Sequence, residues 1–66
     1  MTSPIFFPAL LKNYVVQTRY KFGAWQEHAS FRELAQAKRA VQQIRRQNSE
    51  LEARILNRFT GQIIRT

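Results

Sequence analysis

YVVQTRYKF, residues 14–22, sends Tyr14, Val16, Thr18, Tyr20 and Phe22 to one side and Val15, Gln17, Arg19 and Lys21 to the other. Strict period-two alternation of this kind predicts a strand with one face on a core. Gly23 then predicts a turn, and Ala24 to Ala29 a returning strand of a hairpin with Trp25 packing inward.

Downstream the period changes. Ser30-Phe31-Arg32-Glu33 fits a capping box, in which the serine accepts from a free amide of the first turn and the glutamate reaches back. Leu34, Ala37, Val41 and Ile44 follow at three- and four-residue intervals, flanked by Ala35 and Ala40, and give a helix one apolar stripe. Gln47, Asn48 and Ser49 end it, roughly 27 Å from its start at 1.5 Å per residue. A second alternating run, Leu51, Ala53, Ile55, Asn57 and Phe59, leads to a Thr60-Gly61 turn and a last strand within Gln62 to Thr66.

The expected fold is therefore α+β: a single helix packed on one face of a three- or four-stranded antiparallel sheet, ββαββ, or βαββ without the second strand. The expected strand order is 2-1-3-4, with the helix resting on Tyr14, Val16, Tyr20, Ile55 and Phe59. Sixty-six residues suffice for one core only. Residues 13–66 form that domain, and residues 1–12 an apolar N-terminal arm broken by Pro4 and Pro8. The arm lacks a positive leading region, so neither a signal peptide nor a membrane span is expected, and the expected setting is cytoplasmic. With no cysteine, neither a disulfide nor a thiolate zinc site can staple the domain.

Catalysis is not expected. His28 and Glu27 are neighbours on a strand and face opposite sides, and no serine stands in a nucleophile motif. The four acids, Glu27, Glu33, Glu50 and Glu52, are not spaced as metal ligands, and no glycine-rich phosphate loop occurs. No cofactor and no metal are expected.

Charge carries more information. The net charge is +7, and arginine outnumbers lysine eight to three, which favours forked hydrogen bonding to phosphate or carboxylate. On a helical wheel Arg32, Arg39 and Arg46 align opposite the apolar stripe, with Lys38 and Arg45 on the flank of the core side. No acid occurs between residues 34 and 49, whereas a merely solvated face would mix signs. A second basic surface is expected on the outer sheet face, from Arg19, Lys21, Arg54 and Arg58. The aromatics Tyr14, Tyr20, Phe22 and Trp25 read as core, and Phe6, Phe7, Leu10 and Leu11 of the arm either cover the core or dock into a partner.

The succession YVVQTRYKFGAWQEH, SFRELAQAKRAVQQIRRQN and LEARILNRFTGQII resembles small ββαββ accessory proteins encoded by bacteriophages. Its recognisable parts are the opening alternating strand, Gly23 and Trp25, the helix with Ala37-Lys38-Arg39, and the final hairpin with Thr60-Gly61. The resemblance is one of pattern, covers residues 13 to 66, and transfers no functional residue. It implies a non-enzymatic inhibitor or modulator of host machinery such as CRISPR effector complexes or RNA polymerase, acting in the host cytoplasm. The partner would be an acidic or nucleic-acid-binding surface of a host complex. Direct binding of DNA or RNA, and a structural subunit joined through Ile63 and Ile64, are the other readings. The chain would be a monomer or a small homo-oligomer away from membranes.

Overall fold

The structure, a computed structural model, describes residues 12–65, so Phe6, Phe7, Leu10 and Leu11 of the expected arm lie outside the described residues. In chain order the elements are β1 (Tyr14–Tyr20), β2 (Gln26–Phe31), α1 (Leu34–Gln47), β3 (Leu51–Asn57) and β4 (Ile63–Ile64). They form an α+β fold in which α1 packs on one sheet of order β2-β1-β3-β4, the order the sequence predicts. Every pairing is antiparallel. β2 and β3 both run against β1, so they are parallel to each other and α1 is the crossover between them.

Register follows from which residues must hide. Val16 stands opposite Ala29 on β2 and Ile55 on β3, and Ile55 opposite Ile64 on β4. Over this row lie Ala37, Val41 and Ile44 of α1, which with Val16 and Ile55 make the buried cluster. Tyr14, Phe31, Leu34, Ala40, Leu51, Ala53 and Ile64 close its margins. On the opposite face Val15 is only 2% exposed; it stands across from Leu56, which in turn faces Ile63. That face therefore has an apolar row of its own.

Four expectations fail, each for a local reason. The helix starts at Leu34 rather than from a capping box at Ser30. Ser30 and Phe31 are consumed by β2, where they pair with Val15 and Tyr14, and Glu33 becomes the N-cap with no side-chain cap hydrogen bond. The fourteen-residue helix is consequently about 21 Å long. Tyr20 and Phe59, both 58% exposed, lie outside the cluster under α1. Asn57 ends β3, and its side-chain Oδ1 accepts from the amides of Phe59 and Thr60, which turns the chain before Phe59 can continue the alternation. Thr60-Gly61 is thus part of a longer connection, residues 58–62, in which Gly61 takes φ 77°. Finally, Trp25 precedes β2 and lies against arginines of the outer face, not under α1.

The β1–β2 turn holds a further exception. Gly23 donates its amide to the Tyr20 carbonyl at 2.7 Å, so Phe22 occupies the third turn position. There it adopts φ 67°, a conformation that glycine or asparagine takes at lower cost. Its ring is 95% exposed. One residue later the space is tight: a Cβ at position 23 would come 3.1 Å from the Tyr20 oxygen. Phe22→Gly is expected to raise stability by up to about 1 kcal/mol, since it relieves the left-handed backbone and sacrifices no core contact. A thermal melt checks it, with a gain in Tm of about 4–8 °C per kcal/mol; a fall would show that the exposed ring stabilises the fold.

Candidate functional site

Within α1 the buried stripe of Ala37, Val41 and Ile44 fixes which side faces water. At about 100° per residue, Lys38, Arg39, Arg45 and Arg46 then fall within an outward sector of about 120°. All four are exposed, and α1 contains no acidic residue. Arg39 and Arg46 lie furthest from the sheet, while Lys38 and Arg45 share one flank. Arg32, expected on the same ridge, is displaced: it sits in the two-residue link between β2 and α1, exposed but off the helical line. Placing Arg45 and Arg46 in the last turn also suits the negative end of the helix dipole.

The outer sheet face is different. Arg19 pairs with Glu52, its direct cross-strand partner, and Arg58 pairs with Glu27 at 2.7 Å. Arg54 donates from Nε to Gln17 at 2.8 Å, again a direct cross-strand neighbour. The guanidinium carbons of Arg19 and Arg54 lie 4.4 and 4.1 Å from the Trp25 ring centroid, so both cations meet the negative face of the indole. Lys21, beyond the end of β1, lies 5.4 Å from the Phe22 ring instead. Two of the four cations assigned to this surface are therefore neutralised internally, and it is not the second uniform basic patch that the alternation predicts.

By contrast, none of Arg32, Lys38, Arg39, Arg45 and Arg46 has a carboxylate partner among the described residues. Of the nine described cations without a carboxylate partner, these five lie on or beside α1. That surface can attract a polyanion and fork onto its oxygens.

Glu27 and His28 have different surroundings. β2 bulges between the residues facing Val16 and Gln17, leaving His28 without a partner on β1, and Glu27 is taken by Arg58. No group of three metal-ligating side chains occurs among the described residues, and no described helix is long and apolar enough to cross a membrane. Sequence reasoning missed the Trp25–arginine stack and the groove beside it; only the placement of Arg19 on β1, Arg54 on β3 and Trp25 just before β2 would have signalled it. Compared with known protein families, curated proteins and solved structures, the chain shows no significant match. Fold and site define it as a small basic α+β domain with a cationic helix face.

Proposed function

We propose that this chain is a non-enzymatic binding protein that inhibits or modulates a nucleic-acid-handling complex by setting the outer face of α1 against an acidic surface of that complex. The observation that carries the reading is the segregation of charge: Arg19 and Arg58 of the outer sheet face are matched by Glu52 and Glu27, whereas none of the α1 cations has a carboxylate partner among the described residues. Its resemblance to phage accessory proteins supplies the class of target, and an inhibitor of a CRISPR effector complex in the host cytoplasm is its sharpest form. Gln36, Gln42 and Gln43, also exposed on α1, add neutral donors and acceptors that suit a protein surface.

The same unpaired cations also favour a second reading, direct binding to the phosphates of DNA or RNA. A salt titration against a mixed-sequence duplex separates the two. Four helix cations neutralising phosphates give a slope of log affinity against log salt of about −3.6. Under the favoured reading duplex binding is lost near about 100 mM salt, while a nucleic-acid-handling complex is still captured from the native host. A steep slope with strong binding retained at that salt would overturn it in favour of the nucleic acid.

A further inference from the structure

Beside β3 the sheet is unfinished. β4 pairs only with Ile55 and Leu56, so among the described residues no strand pairs with Leu51–Arg54 on that side, and only the Leu51 amide is taken, by the Asn48 carbonyl at 3.2 Å. The direction of its backbone groups follows from the turn. Asn57 donates its amide toward β4, to the Gln62 carbonyl at 2.8 Å, and alternate residues of a strand repeat that direction. Ile55 therefore turns its N–H and C=O to Ile64, and Ala53 turns its own to an open groove of about 640 Å³. Arg45 borders this groove from the helix side, Arg54 from the outer face, and Arg65 also lines it. Among the described residues the only carboxylate along it, Glu52, is engaged by Arg19.

We infer that this edge accepts an extended acidic peptide of a partner protein, which adds a strand to β3 at Leu51–Arg54. The backbone decides the class of ligand. Alternating N–H and C=O groups are matched by another peptide chain and not by a phosphodiester, which offers no amide donors. Charge decides its composition, because four guanidiniums line the groove and its acid, Glu52, neutralises just one of them, Arg19. A second copy of this chain is disfavoured, since edge-to-edge pairing would bring its Arg45, Arg54 and Arg65 against their counterparts. Side-chain alternation sets the pattern: apolar residues toward Leu51 and Ala53 on the helix side, acidic ones toward Arg54 on the outer side. This surface shares Arg45 with the cationic side of α1 but not Arg39 or Arg46, and it stands whether or not that side binds a partner.

The test uses a fluorescent peptide of four Glu-Val repeats, read by anisotropy on the full chain. Two further versions are N-methylated, one on every valine and the other on every glutamate, which blocks one edge or the other of the extended peptide without changing its charge. The expected result is saturable binding of the parent, loss with one methylated version only, and about tenfold weakening by Arg65→Glu. Arg39→Glu leaves the affinity unchanged, so failure here is distinct from failure of the helix face. No binding of the parent, equal effects of both methylations, or a self-association that Arg65→Glu strengthens would each overturn the inference.

Discussion

Ile55→Ala is expected to leave much of the protein unfolded at room temperature. Ile55 is fully buried where three strands and the helix converge: Val16 lies beside it on β1, Ile64 on β4, and the α1 stripe above. Removing three carbons there sacrifices their transfer energy and opens a cavity that the surrounding backbone cannot close, a cost of about 2–5 kcal/mol. A core this small, with no disulfide, supplies a reserve of about 3–5 kcal/mol. The two quantities are comparable, so the variant should lose most of its far-ultraviolet dichroism at modest urea. Ile63→Ala is the matched control: the same residue type, half-buried on the opposite face, with an expected cost nearer 1 kcal/mol, close to the average substitution. Equal losses in the two variants would show that the face under α1 is not the principal core.

Reversing Arg39 and Arg46 together to glutamate should reduce affinity for the partner complex by about a hundredfold or more. Each charge-assisted hydrogen bond is worth about 1.5–3 kcal/mol, and each reversal also introduces repulsion, so two substitutions exceed two factors of ten. Folding should scarcely change, since both side chains are exposed and without a carboxylate partner among the described residues; losing the favourable dipole contact of Arg46 costs about 0.3–1 kcal/mol. Arg58→Gln removes a cation already balanced by Glu27 and should leave binding nearly unaltered. Pull-down of the complex by the purified variants measures this. Undiminished capture by the folded double variant would remove the helix from the interface.

Much of the architecture was legible because it rests on periodicity. The change from a two-residue to a 3.6-residue repeat and back placed the elements, and the stripe of Ala37, Val41 and Ile44 fixed the buried side of α1 and hence its cationic side. What could not be read depends on partners distant in the chain. Alternation continues through Phe22 and Phe59, yet β1 stops at Tyr20 and β3 at Asn57, because strands end where their neighbours end and turns intervene. Ser30 and Phe31 satisfy the local rule for a helix start, but pairing with Val15 and Tyr14 outweighs it. The neutralising pairs Arg19–Glu52 and Arg58–Glu27 join residues about half the chain apart, so the sequence displays the cations without their counter-charges. The open edge escaped notice for a similar reason, since it exists only because β4 is two residues long.

The central place of β1 sets an order of assembly. Its bonds to β2 close a hairpin within residues 14–31, a local event available as soon as that segment is synthesised. Its other side matches β3 from Leu51 to Asn57, and those residues leave the ribosome only after all of α1. During translation the nascent hairpin must wait with one flank of β1 unsatisfied, and loop closure around the helix becomes the slow step. Changes that lengthen residues 32–50 should therefore retard folding more than equal insertions in the β1–β2 turn.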